Sequence, residues 1–166
     1  MSYQRPVVFI SESTQDRRVS DIAIAGLVVL FVVAIYGWFV LPDTIPMHFG
    51  FDGRPNAWGS KRILWMLPGL ALFFYGFLTY LNRTPHKFNY LVPINENNAR
   101  RQYAIALSML NWLKVELIWI FAFMQCLMYS LATSQSFSWG IWFVPVFFLV
   151  VLGTVTYWLR QSLQAR

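Results

Sequence analysis

Four stretches of this chain run almost without a polar interruption: Ile22 to Leu41, Ile63 to Leu81, about Trp112 to Leu131, and Trp139 to Leu159. They are apolar all round, and each approaches the roughly 20 helical residues that cross about 30 Å of hydrocarbon. The pattern predicts an all-α integral membrane protein with four transmembrane helices in one bundle. The domain is 22–159, between an N-terminal tail, 1–21, and a C-terminal tail, 160–166. The first block is about twice as long as a signal-peptide core and is followed by no small-x-small site, so it is expected to stay as a helix. No internal repeat stands out.

Polar residues shape what lies between and within these blocks. Pro68 and Pro145 interrupt the second and fourth spans; each removes a backbone donor and strands the carbonyl four residues earlier, at Leu64 and Ile141, so a kink is expected. The third helix is expected to start near residue 96. Asn95 is a good N-cap, with Asn98 three residues on in place of the capping-box acid. From Glu96 to Leu131 it would be roughly 54 Å long and overshoot the bilayer. Lys114 and Glu116 then lie near one interface, where a long stem can snorkel to water. Asn111 and Lys114, three apart, share a face, and with Glu116 they are candidates for an intramembrane polar contact.

Between the first two spans, Met47, Phe49 and Phe51 alternate with His48, Gly50 and Asp52, the period of a strand with one apolar face. Asp52-Gly53 signals a turn, Pro42 and Pro46 favour an extended entry, and Ser60 is placed to cap the second span. A small hairpin-like loop is expected, with Asp43, His48, Asp52, Arg54 and Trp58 as candidate partner-binding residues.

Basic residues orient the chain, because cytoplasmic segments carry the excess of Lys and Arg. Arg5, Arg17, Arg18, Arg83, Lys87, Arg100, Arg101, Arg160 and Arg166 fall in the two tails and the middle loop. Only Arg54, Lys61 and Arg62 fall between the first two spans. Both termini are therefore expected in the cytoplasm and the hairpin outside. Trp38, Trp58, Trp65, Trp139 and Trp142 then form the outer aromatic belt, and Tyr80, Trp112, Tyr157 and Trp158 the inner one. Arg83, Lys87, Arg100 and Arg101 are candidates for binding anionic inner-leaflet headgroups or a cytoplasmic partner. The net charge of +6 is spread over three segments without a nucleic-acid motif, so no nucleic-acid partner is expected.

Composition agrees: 57% of residues are hydrophobic and 12% charged, against about 25% charged in a soluble domain. The chemistry is sparse. The only histidines, His48 and His86, lie in loops, so no span supplies a haem ligand. Asp43, His48 and Asp52 give three hard ligands without a tight metal spacing. Ser60 and His48 have no evident orienting acid. Cys126 is the only cysteine. No catalytic residue, metal or cofactor is expected. Transport is a less favoured reading, since two kinked spans come without an inverted repeat.

The loop also resembles a known signature. Leu41-Pro42, then Ile45-Pro46-x-His48-Phe49, then Gly53-x-Pro55-x-x-Trp58-x-Ser60-Lys61 is similar to a bacterial membrane family, a domain of unknown function found in SdpI-type immunity proteins. Asn97, Arg101, Gln102, Tyr103, Leu113 and Lys114 are similar to the family's next cytoplasmic stretch, so the resemblance covers roughly residues 22 to 130. Gly50 and Asn56 depart from the pattern, and the immunity proteins carry additional spans. The resemblance implies the bacterial cytoplasmic membrane. For the immunity members it implies binding of a membrane-active peptide outside and a regulator inside. The expected function is a non-catalytic accessory or binding subunit that packs against other membrane proteins, with Ala104 and Ser108 as a close-approach site. The alternative is an immunity or regulatory protein.

Overall fold

The computed structural model describes residues 5–11, 13–50, 54–133 and 140–165. Four helices are long and apolar enough to cross a membrane. They are α1 (Thr14–Val40), α2 (Met66–Leu81) taken together with the turn from Lys61 that leads into it, α3 (Ala99–Ala132) and α4 (Gly140–Gln164), and they run up and down in chain order. Between α1 and α2 lie β1 (Thr44–Phe49) and β2 (Pro55–Ser60), an antiparallel pair. The two ends of the bundle are called here the hairpin end and the basal end.

Helix α1 begins eight residues before the apolar block. Ser13 caps it: its hydroxyl accepts from the Asp16 amide at 3.0 Å, and the Asp16 carboxylate reaches back to the Ser13 amide. This reciprocal box satisfies amides that the first turn leaves open. The sequence Ser13-Thr-Gln-Asp16 carries that signal, so the polar tail is shorter than the apolar pattern alone indicates. At the start of α3 the expected pair also forms a box. The Asn98 amide donates to Asn95 Oδ1 at 3.1 Å and the Asn95 amide to Asn98 Oδ1 at 2.9 Å. Residues 96–98 form a turn rather than helix, and α3 proper starts at Ala99. Asn98 also donates to the Pro93 carbonyl, which ties the box to the incoming loop.

Helix α3 is the axis against which the others pack. Against α1 the approach is close because small residues lie at the contact: Ala23, Gly26 and Ala34 of α1 are buried. A methyl on Gly26 would meet Ile118 Cγ2 at 2.9 Å and Trp119 Nε1 at 3.1 Å. Trp119 donates from there to the Ile22 carbonyl at 3.0 Å. Buried layers stack along the bundle: Val19, Ala23, Val115 and Ile118, then Leu30, Leu67, Ala71 and Ala122, then Leu41, Ile45, Leu64 and Met128.

The disturbance expected at Pro68 takes the form of a 3-10 turn, Lys61–Trp65, that precedes α2. Proline supplies no amide to reach back to Leu64. The Leu64 carbonyl instead accepts from Gln125 Nε2 of α3 at 3.2 Å. Gln125 is fully buried.

At the basal end, residues 5–10 are not a loose tail. Val8 and Ile10 pack on a cluster of Val92, Ile94, Ala99 and Tyr103, and Tyr103 donates to the Pro6 carbonyl at 2.9 Å. Buried Gln102 donates to the carbonyls of Ser162 and Ala165 at 2.9 and 3.0 Å, closing the C-terminus of α4.

Candidate functional site

Three sets of residues carry the chemistry. The first is the hairpin. Its seat is Ile45 and Pro46, both buried, with Ile45 in the Leu41, Leu64 and Met128 layer. The expected apolar face therefore moves toward the strand's start: β1 begins at Thr44, and Met47 is 45% exposed. Strand pairing explains the shift, because Thr44 opposite Ser60 and Ile45 opposite Gly59 lie where the chain leaves and re-enters the bundle. Asp43 pairs with Lys61 at 3.1 Å, and the Lys61 ammonium lies 5.3 Å from the Trp38 ring centroid, beside Trp65. His48 Nδ1 is 2.6 Å from Asn56 Oδ1. Arg54 and Trp58 are exposed. Asp52, with the turn it was expected to open, lies outside the described residues. Asp43 and His48 thus engage different partners, and among the described residues no three His, Cys, Asp or Glu side chains come together as a metal set.

The second set is the basic loop. Arg83, Lys87, Arg100 and Arg101 are all exposed at the basal end. Arg5 joins them from the N-terminal segment. It donates to the carbonyls of Phe88 and His86 and lies 5.5 Å from the Tyr90 ring centroid. Tyr90 donates to the Pro85 carbonyl at 2.9 Å. Burial, reinforced by neighbouring Tyr103, pushes the Tyr90 phenol well above its usual range, while Arg5 acts the other way.

The third set lies inside the bundle on α3, and here the structure departs from the snorkelling expectation. Lys114 is 2% exposed. Its ammonium is 3.4 Å from Thr79 Oγ1 and 4.9 Å from the Tyr75 ring centroid, both on α2. Asn111 accepts from Asn82 Nδ2 at 2.8 Å. Glu116 faces the other way, where its Oε1 accepts from the Thr154 hydroxyl of α4. The lysine stem turns inward because its Cβ lies on the side of α3 that packs on α2, two residues from the glutamate and on a different face.

Below Lys114 a cavity of about 570 Å³ opens between α1, α2 and α3, closed on one side by Trp158. Among the described residues its lining carries one ammonium, Lys114, and one carboxylate, Asp16. Asp16 Oδ1 accepts from Ser108 at 3.0 Å and Oδ2 from Ser13 at 2.5 Å. Ala104 and Ser108, a close-approach site by spacing, line this cavity instead of the outer surface. The small side chains make room for the cavity.

Sequence reasoning missed Asp16, Thr79, Asn82, Gln125 and Thr154. Asp16 was legible as the fourth residue of a capping box. Thr79, Gln125 and Thr154 are polar residues in apolar runs and Asn82 follows the end of one, without a spacing that singles them out.

No curated protein and no solved structure matches the chain. Residues 25–72 run from within α1 through the hairpin into α2. They match the family described as a domain of unknown function, DUF1648, in keeping with the resemblance carried by Leu41 to Lys61.

Proposed function

We propose that this multi-span protein is a non-catalytic accessory or binding subunit of the bacterial cytoplasmic membrane, and that it packs on other membrane proteins through the outward side of α2. The observation that carries the reading is the relief of that side. Among the described residues, a Cβ at Gly69 or Gly76 would meet nothing within 4 Å beyond the helix's own backbone and the adjacent residues. Between and beside them Phe73 and Phe77 stand stacked, with ring centroids 6.0 Å apart, and Phe73 is 62% exposed. Two notches flanking an aromatic ridge suit the close approach of another helix in lipid, where association depends on shape and not on hydrophobic drive.

In this reading the termini and the basic loop are cytoplasmic, with Arg83, Lys87, Arg100 and Arg101 against anionic headgroups. The hairpin lies outside. A photo-crosslinking residue at Phe73 is expected to give a discrete protein adduct in intact cells. The same residue at Val32, exposed on α1, is expected to give none, and Gly69→Leu with Gly76→Leu should abolish the Phe73 adduct. Equal labelling at both positions, or a lone monomer after gentle extraction, refutes the reading. The immunity alternative draws support from the exposed hairpin edge, Arg54 and Trp58, as a surface for a peptide. Its test is deletion of the gene: unchanged sensitivity to the cell's own secreted peptides rules it out.

A further inference from the structure

The basal cavity serves neither the α2 face nor the hairpin, and its chemistry is arranged along an axis. Six residues of α3 separate Ser108, which holds Asp16, from Lys114, a rise of about 9 Å. Helical side chains lean toward the N-terminus, which for α3 is the basal end, so the Lys114 stem leans toward the carboxylate. Between these charges stands Asn82. Its Nδ2 is committed to Asn111, and its Oδ1 is buried with no hydrogen-bond partner among the described residues. A buried acceptor without a donor is costly, and a group bound in the cavity would satisfy it. Tyr75 and Ile105 supply apolar wall. The volume lies within the roughly 300–1,000 Å³ typical of small-molecule sites.

We propose that this cavity binds a small zwitterionic head, a phosphate or carboxylate joined to an ammonium. The anion meets Lys114 Nζ beside the Thr79 hydroxyl. The ammonium donates to Asn82 Oδ1 and faces the Asp16 carboxylate at the mouth. An ammonium held inside a membrane bundle attracts an anion more strongly than one in water, and the acid at the mouth selects a zwitterion over a simple anion. Such a head can come from a membrane lipid, phosphatidylethanolamine, whose tails pass between the helices, or from a soluble molecule of the same chemistry.

The test uses the full chain in a mild non-ionic detergent. Native mass spectrometry measures retention of added phosphatidylethanolamine and phosphatidylglycerol. Thermal unfolding is followed with phosphoethanolamine and with inorganic phosphate. Phosphatidylethanolamine is expected to be retained in preference to phosphatidylglycerol. Lys114→Gln should weaken that retention about tenfold or more, the effect of losing a charge-assisted hydrogen bond. Asp16→Asn should erase the preference between the two lipids. Ser20→Phe, which fills the cavity and keeps both charges, should abolish binding, and it carries the test if Lys114→Gln does not fold. Stabilisation by phosphoethanolamine identifies a soluble source, and retention of the lipid alone identifies the membrane. Binding of neither phosphatidylethanolamine nor phosphoethanolamine, equal retention of the two lipids without stabilisation by phosphoethanolamine, or full binding by Ser20→Phe overturns the proposal.

Discussion

Gln125 offers the sharpest test of how this bundle manages proline. Replacing it with Leu keeps the volume nearly constant, so packing changes little. The substitution removes the 3.2 Å bond to the Leu64 carbonyl and leaves that carbonyl buried, at a cost of about 1–3 kcal/mol. It also removes Gln125 Oε1, which is buried without a partner among the described residues and costs the fold a comparable amount. These two terms oppose each other, so the single substitution is expected to destabilise by no more than about 1 kcal/mol. A double-mutant cycle with Pro68→Ala separates them, since alanine restores an amide able to reach Leu64 and makes the glutamine redundant. The coupling energy should be about 1 kcal/mol, the magnitude of interhelical hydrogen bonds in membranes. Reversible unfolding in bicelles by steric trapping measures all four corners. A coupling below about 0.3 kcal/mol, within the usual scatter of additive sites, refutes the argument that Gln125 stands in for the missing proline amide.

Other substitutions test neighbouring claims. Gly26→Ala sets a methyl 2.9 Å from Ile118 Cγ2 and should cost about 1–3 kcal/mol by overpacking, whereas Gly76→Ala, with open space around it, should be neutral or slightly stabilising; thermal unfolding compares them. Gln102→Ala frees the last carbonyls of α4, so hydrogen exchange should quicken at residues 160–165 with little change in α1. Asp43→Asn should change stability by less than about 0.5 kcal/mol, because the Asp43 side chain is 95% exposed and surface pairs contribute little, while Lys61→Ala loses its place over Trp38 and should cost more. The raised Tyr90 phenol means the fold favours the neutral form. Its contribution is complete below pH about 10 and is lost as pH rises beyond that, so alkaline release of residues 5–10, followed by proteolysis, should be absent in Tyr90→Phe.

What the sequence made legible follows from where periodicity and turn chemistry act alone. Four apolar runs translate into four helices because nothing but a helix satisfies its own backbone in lipid. Asn95 and Asn98 form their reciprocal bonds because a cap is a local device. Pro68 names the carbonyl it strands. What answers that carbonyl was not legible, since Gln125 is 61 residues away and reaches it only through packing. Lys114 shows the same limit: its spacing put it at a depth where snorkelling was available, but the direction of its stem depends on which side of α3 meets α2. Ile45 finds a place between the helix ends, whereas Met47, two residues on, falls at an irregularity where the pairing skips from Pro46 to His48. The α2 notches, too, became visible only once the inward side of that helix was fixed.

These details combine into one account of how the bundle chooses its register. Apolar helices in lipid gain nothing hydrophobic by meeting, so sliding one past another costs little unless specific bonds forbid it. Helix α3 carries such bonds at successive levels, shared among its three neighbours α1, α2 and α4. Gln102 binds the end of α4, Ser108 binds Asp16 of α1, and Asn111 and Lys114 engage the last turns of α2 and its cap. Glu116 then binds Thr154 of α4, Trp119 the Ile22 carbonyl of α1, and Gln125 the turn before α2. A shift of any neighbour by one residue, about 1.5 Å along its axis, would break at least one of these and leave a buried polar group open. Polar residues scattered through apolar runs are thus what fixes the helices at one height. The cavity persists because three of these bonds, at Ser108, Asn111 and Lys114, hold its walls apart from different sides.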